Sequence, residues 1–331
     1  MTENKKPITL AEIKAPLHQE MAAYEEFLRQ ALHSESRYFD DILKYIFDNR
    51  GKGVRPTLVM LWAKMLSPEN TLGKRALLSA ALIELIHTAS LVHDDVIDRA
   101  DVRHGKSSIN EQFGPRNAIL TGDFILSRIF ELGMESLEFD ILTYVSHAIK
   151  WLCEGEVIQD EQTKTLGMTH QTYYDIIDKK TASLLAISCG VGALSSKASA
   201  KQVDAAYEFG RNIGMAFQIK DDILDYAATD QTGKPRCADL KEHKITLPLL
   251  EVLAQMGPEE QEEVKAWVRS SNEESIRLIN TKVMEYNGLE RAEKIMEEYI
   301  QRAKESLLAY PASPYREALE AMCDFLAQRN H

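Results

Sequence analysis

Residues 80–98 read AALIELIHTASLVHDDVID. From 73 to 92 the apolar residues fall on every side at helical spacing, with small residues gathered at Ala80, Ala81, Ala89 and Ser90. That pattern predicts a long buried helix over 73–98. Its end breaks the pattern with Asp94-Asp95-Val96-Ile97-Asp98. The same kind of word returns as Asp221-Asp222-Ile223-Leu224-Asp225, after the apolar stretch GMAFQIK at 214–220. On a helix the first and last aspartates of each word share a face, where like charges repel. A cation must offset that repulsion, and hard carboxylate oxygens suit Mg²⁺. Two such clusters facing one another suit several Mg²⁺ ions and, through them, a diphosphate. One Asp-Asp-x-x-Asp word is common on a solvated helix face. Two, each closing an apolar helix-period stretch, are not.

Working outward, helical periodicity dominates. It predicts helices over 9–32, 36–49, a segment entered at Pro56 and running through LVMLWAKML (58–66), 115–137, 140–164, 169–194, 199–228, 244–256, 258–270, 273–286, 288–309 and 314–329. Residues 99–110 read as a polar loop containing Gly105. Strand patterns are almost absent, and 16 glycines and 10 prolines are few for 331 residues. The fold class is all-α, a large helical bundle. No Pro/Gly/Ser-rich linker divides the chain, so a single domain over 1–331 is expected, with residues 1–8 a flexible N-terminus.

A net charge of −12 argues against a nucleic-acid surface. Cys153, Cys189, Cys237 and Cys323 form no CxxC pair and read as thiols of a reducing, cytoplasmic setting. The N-terminus MTENKKPITL has no apolar signal region. The most apolar run, 77–92, is interrupted by Glu84 and His87, so no transmembrane span is expected.

A diphosphate also needs basic groups. Gly51-Lys52-Gly53-Val54-Arg55-Pro56 puts two cations on a glycine-loosened turn at a helix entry. Arg103-His104-Gly105-Lys106 follows the first Asp word. Lys179-Lys180-Thr181 opens the apolar run ASLLAISCGVGAL, and a lysine there should point at a partner. Lys220 precedes the second Asp word, and Lys234 and Lys244 follow it. His87 lies two turns before Asp94, on nearly the same face, and can donate to a phosphate. Any one of these cations alone reads as an ordinary solvated side chain, and His87 as a core histidine.

In order and spacing, four segments resemble the trans-isoprenyl diphosphate synthases of the polyprenyl synthetase family. They are GKGVRP (51–56), ELIHTASLVHDDVID (84–98) with RHG after it, KKTASLL (179–185), and FQIKDDILDY (217–226) with GKP and KITLP after it. The resemblance runs from about residue 9 to the last helix. It implies the isoprenoid synthase fold, a bundle around a deep central cavity, as a homodimer. It implies chain elongation, in which an allylic diphosphate ionises, isopentenyl diphosphate attacks the cation and a proton is lost. It implies three Mg²⁺ ions on Asp94, Asp98 and Asp221, with Asp95, Asp222 and Asp225 ligating directly or through water. Arg103, Lys180, Lys234 and Lys244 would grip the leaving diphosphate. Lys52, Arg55, His87 and the position of His104 would hold isopentenyl diphosphate. Thr181 and Gln218 would face the cation.

The sequence departs from the family at three places. His104 stands where an arginine is usual, which implies weaker, pH-dependent binding of isopentenyl diphosphate. Cys237 replaces a glycine, and Glu242-His243-Lys244 replaces Glu-Gly-Lys. Short-chain relatives block the product tunnel with an aromatic residue four or five positions before the first Asp word. Here Ser90 and Ala89 stand there, with Ile86 and Ile83 deeper, and a long product is expected. Trp62, Val145, Ile149 and Trp151 are candidates for the tunnel floor. A terpene cyclase would not need GKGVRP or an intact second Asp word, and a non-catalytic partner subunit tends to lose metal aspartates.

Overall fold

The computed structural model describes residues 8–67, 72–103, 105–227 and 237–329. In chain order the helices are α1 (Leu10–Lys14), α2 (His18–Ala31), α3 (Arg37–Asp48), α4 (Val54–Leu66), α5 (Lys74–Ile97), α6 (Ile109–Phe113), α7 (Pro115–Glu135), α8 (Phe139–Thr165) and α9 (His170–Ile177). They continue with α10 (Ser183–Ser195), α11 (Ala200–Ala227), α12 (Ala238–Lys241), α13 (Leu247–Leu253), α14 (Pro258–Ser270), α15 (Glu273–Glu285), α16 (Gly288–Leu307) and α17 (Pro314–Gln328). Among the described residues the only strands are β1 (Val102–Arg103) and β2 (Lys106–Ser107), paired antiparallel. The all-α expectation holds.

The core is built around α10. Every residue from Ser183 to Ala193 is buried, as expected of a helix with no polar face. It packs on α11, α4 and α5. Contact with α11 is backbone-close, because a Cβ at Gly210 would lie 2.4 Å from the Leu185 carbonyl oxygen. Trp62 on α4 meets Phe209 and Tyr310 edge-on, with ring centroids 5.5 and 5.4 Å away. α5 is by length and apolarity able to cross a membrane, but 67% of its most apolar window is buried inside the molecule. It is a core helix here, and its closing Asp word is carried to the rim of the bundle by the packing of α4, α7 and α10 against it.

Three elements differ from the periodic reading. The stretch 9–32 is broken by a 3₁₀ turn at Ala15–Leu17, since Pro16 lacks an N–H and restricts the residue before it. The run 169–194 is not one α-helix, because Asp178–Ala182 forms a π turn between α9 and α10. Helix α13 starts at Leu247 rather than 244, with Pro248 within its first turn, where no backbone donor is needed.

Candidate active site

The first Asp word splits. Asp95 is buried (2% exposed) and accepts two hydrogen bonds from Arg103, Nε at 2.8 Å and Nη2 at 2.5 Å. Asp94 and Asp98 turn away from it, toward α8 and the Lys244 segment. Burial pushes the Asp94 carboxyl up to about 6, with the nearby Glu156 carboxylate adding to it and Lys180 opposing. Asp98 is raised by burial as well, against the pull of Lys244. Asp98, Glu156, Gln159, Glu242 and Lys244 line one cleft. The adjoining cleft is lined by Gln159, Lys180, Thr181, Gln218, Asp222 and Asp239, with Met168, Ile176 and Ile177 as its apolar wall.

The second word is wired into the protein. Asp221 is ion-paired to Arg329, whose guanidinium lies over the Phe217 ring at 4.2 Å. Asp222 is buried (3% exposed) and accepts from the Tyr173 hydroxyl at 2.6 Å and Gln218 Nε2 at 2.9 Å. Burial, then the neighbouring Asp239, pushes its pKa up to about 8. Asp225 accepts the backbone N–H groups of Ala238 (2.9 Å) and Asp239 (3.3 Å), so it caps the start of α12. Asp239 is itself raised to about 6 by burial and then by Asp225. For Lys244, burial disfavours the charge, but the bond to Glu242 and the carboxylates Asp239 and Asp98 raise its pKa overall.

Lys180 and Thr181 stand between the two words, on the π turn. Lys180 is ion-paired with Glu156 and donates to Gln159 at 3.1 Å. Thr181 donates to Gln218 Oε1 at 2.7 Å, so Thr181, Gln218 and Asp222 form one chain of hydrogen bonds. The approach depends on Gly155, where a Cβ would fall 2.6 Å from the Lys180 side chain. A widened turn displaces side chains from the α-helical register, a frequent device at functional sites.

A third cavity lies across Asp95 and Arg103. Arg50, Gly51, Glu84, His87 and Thr88 line it together with that pair. Arg55 is nearby, and its Nε is buried without a hydrogen-bond partner in the protein, while Glu84 supplies the opposing charge. The Lys52 backbone carbonyl accepts from Lys14. Tyr45 on α3 donates to the Ser107 carbonyl at 2.9 Å, tying the small hairpin over this cavity.

The structure thus brings Asp98 and Lys244 to one cleft, with Asp94 close enough to feel Glu156, Lys180 and Asp98. It brings Lys180, Thr181, Gln218 and Asp222 to the adjoining one, and His87, Asp95 and Arg103 around another; Asp221 and Asp225 line none of the three. His104 and Lys234 lie outside the described residues. Lys220 turns to α16, 3.9 Å from Glu293, and Lys179 pairs with Asp175, so neither serves the clefts. Ile83, Ile86 and Ala89 are buried and Ser90 is half-buried, but none of them lines the three cavities above. Of the floor candidates, Trp62 belongs to the aromatic group with Phe209 and Tyr310.

Sequence reasoning missed Glu156, Gln159, Asp239, Arg50 and Arg329. Only the first pair carried a signal: Gly155 sits inside a helical pattern, and an isolated helical glycine marks a close approach.

The donor set fits hard divalent cations. Among the described residues no three His, Cys, Asp or Glu side chains already form a cage. Mg²⁺ needs none, because it usually takes one or two carboxylates and completes its shell with water and phosphate oxygens. A cation already stands on Asp221, the Arg329 guanidinium.

The polyprenyl synthetase family model matches residues 36–286. The chain belongs to the polyprenyl synthetase family. It is 32% identical over 325 residues to an octaprenyl diphosphate synthase of Escherichia coli (strain K12), covering 98% of this chain and 100% of that one. It is 32% identical over 320 residues to heptaprenyl diphosphate synthase component 2 of Geobacillus stearothermophilus, covering 95% and 97%. A polyprenyl synthase of Caulobacter crescentus CB15, solved with calcium and isoprenyl diphosphate, superposes with a TM-score of 0.88 at 30% identity over 99% of this chain and 100% of that one. A decaprenyl diphosphate synthase of Rhodobacter capsulatus gives 0.89 at 27% identity, over 96% and 98%. The resemblance to long-chain trans-isoprenyl diphosphate synthases is therefore borne out, and this member of the polyprenyl synthetase family is a trans-prenyltransferase.

Proposed function

We propose that this enzyme condenses an allylic diphosphate with isopentenyl diphosphate, repeatedly, to a long all-trans polyprenyl diphosphate. The observation that carries this reading is the Lys180–Thr181 turn between two carboxylate groups, with a separate cavity, lined by Arg50, His87 and Arg103, at the Asp95–Arg103 pair. Asp94, Asp98 and Asp221 would hold three Mg²⁺ ions with the allylic diphosphate, and Asp222 and Asp225 would support them. Bound Mg²⁺ supplies Lewis acidity and offsets charge on the departing diphosphate. Lys180, Lys244 and Arg103 grip that group, and Thr181 and Gln218 direct their oxygen dipoles at the adjoining carbon. Lys52, Arg55 and His87 hold isopentenyl diphosphate. The apolar wall of Met168, Ile176 and Ile177 keeps water from the cation. The released diphosphate is base enough to take the final proton.

Small residues at Ala89 and Ser90 support a long product. A homodimer is supported by the outward face of α7 and the start of α8, where Ile119, Leu120, Phe130, Met134, Leu137 and Phe139 are exposed. Cys189, Cys237 and Cys323 are buried, and four cysteines with no CxxC pair suit a reducing cytoplasm.

The deciding experiment is an incubation of the purified chain with Mg²⁺, farnesyl diphosphate and labelled isopentenyl diphosphate, with products resolved by length. A ladder ending in a long polyprenol bears the reading out. A product stopping at geranylgeranyl keeps the chemistry and removes the length assignment. No incorporation points to the reading in which this chain acts only with a second component. Ala89→Phe should shorten the product by at least one isoprene unit, and an unchanged ladder would remove Ala89 from the product path.

A further inference from the structure

The glycine turn that reaches the third cavity through Gly51 has a contact from the very start of the fold. Helix α1 is fixed at its entry by a capping box between Thr9 and Glu12. Ile13 (1% exposed) and Leu17 (0%) are driven into the core, and α1 packs on α17. With Ile13 anchored, the next residue points about 100° further round the helix. That residue is Lys14. Its Nζ donates to the Lys52 carbonyl oxygen at 2.6 Å, across 38 positions of sequence.

The geometry at the receiving end is specific. Gly53 has φ +65°, and a Cβ there would stand 3.5 Å from Lys14 Nζ. Glycine takes that left-handed conformation without strain and leaves the ammonium room beside the turn. The turn Gly51-Lys52-Gly53 is therefore held from outside by a charged donor, immediately before the helix that carries Arg55. Electrostatics tie the same groups together. Glu84 is 5% exposed, and the cations acting on it are Arg55, Arg50 and Lys14. Glu84 lies one turn before His87 on α5. One buried carboxylate thus sits among three cations, Lys14 of α1, Arg50 just before the glycine turn and Arg55 of α4, at the wall of the cavity that Arg50, His87 and Arg103 also line.

A neutral amide would satisfy a lone carbonyl. An ammonium does that and adds positive charge where a diphosphate is to bind, and charge-assisted bonds are about twice as strong as neutral ones. We propose that Lys14 is a positioning residue for isopentenyl diphosphate: it fixes the backbone of the Gly51-Lys52-Gly53 turn so that the Lys52 side chain faces the diphosphate, and contributes one positive charge to that cavity. The inference rests on the reading of Lys52, Arg55 and His87 as the isopentenyl diphosphate site.

Steady-state kinetics test it, with the allylic primer saturating and isopentenyl diphosphate varied. Lys14→Met should raise KM for isopentenyl diphosphate about tenfold, the scale of one misplaced charge-assisted contact. The value of kcat and the KM of the allylic primer should stay within about twofold. Lys14→Gln keeps a donor without charge and should fall between, and Lys14→Arg should restore most of the affinity. Unchanged KM in a folded Lys14→Met or Lys14→Gln overturns the proposal. So does a parallel rise of both KM values with loss of kcat and of thermal stability, because a plain structural prop would do that. Should Lys14→Met fail to fold, Lys14→Gln and Lys14→Arg decide alone. Lys52→Ala serves as the reference. If it leaves KM for isopentenyl diphosphate unchanged, the site assignment has failed, rather than the role of Lys14 within it.

Discussion

The two Asp words share a pattern and almost nothing else. In 94–98 the outer aspartates are left to the cleft, while the middle one is taken by Arg103. In 221–225 every aspartate is engaged: Asp221 by Arg329, Asp222 by Tyr173 and Gln218, Asp225 by the α12 backbone. Burial lifts Asp94 and Asp98 in the first word and Asp222 in the second, so burial alone does not separate the two. The second is pre-organised by donors. Identical spacing therefore gives an open pair of outer carboxylates in the first word and a braced set in the second. What differs is the tertiary environment, since the local periodicity is the same.

The comparison can be broken by substitution. The largest effect is expected from Asp94→Asn and Asp221→Asn. Each should lower kcat by on the order of 10²–10³-fold, the scale for removing one group that stabilises developing charge, with the helical circular dichroism unchanged. Near-full activity in Asp221→Asn alone would mean that the braced word is structural and only the open one holds metal.

Acidity sharpens the contrast further. Burial, then the Glu156 carboxylate, pushes the Asp94 carboxyl from its ordinary 3.8 up to about 6. A carboxyl raised on folding makes the metal-free fold bind an extra proton, so its contribution to stability falls as pH rises from about 4 through 6. Mg²⁺ needs the ionised form and competes with that proton. Calorimetric titration should show Mg²⁺ affinity dropping as pH is lowered below about 6, and Asp94→Asn should flatten that slope. An unaltered slope in the variant would assign the proton elsewhere.

Smaller effects follow from the braces. Tyr173→Phe removes a bond to a buried carboxyl and should cost about 1–3 kcal/mol in urea unfolding, while Asp95, on the other word, is unaffected. Arg329→Ala removes a partly exposed pair and should change stability by less than about 1 kcal/mol. It should lower the Mg²⁺ concentration needed for half-maximal activity, since the competing cation is gone. A rise instead would give Arg329 a part in holding diphosphate.

The class of the fold and the two Asp words were legible because they rest on local signals: helical period, and charge where that period demands apolar residues. The four motifs in order were enough to identify the family. Glu156 and Asp239 were not legible, because a glutamate on a helix or an aspartate in a loop reads as solvated until packing brings it to the cleft. Arg329 and Lys14 lie at opposite ends of the chain, and only the docking of α17 and α1 on the core places them. The split of 169–194 was hidden for another reason. A π turn leaves the hydrophobic pattern of its flanks intact and shifts only their relative angle.

That turn sets a rule for how this region can change. Within 178–182 the chain carries one residue more than an unbroken α-helix would. A side-chain exchange there alters one contact. Deleting any one of the five would close the turn to regular geometry and rotate α9 against α10 by about 100°. Tyr173 would leave Asp222, and Lys180 would leave Gly155, together. The segment is thus locked in length as well as in its site residues Lys180 and Thr181: a one-residue gap anywhere in it should be lethal to the enzyme, whereas an exchange at Lys179, whose partner is Asp175, should not.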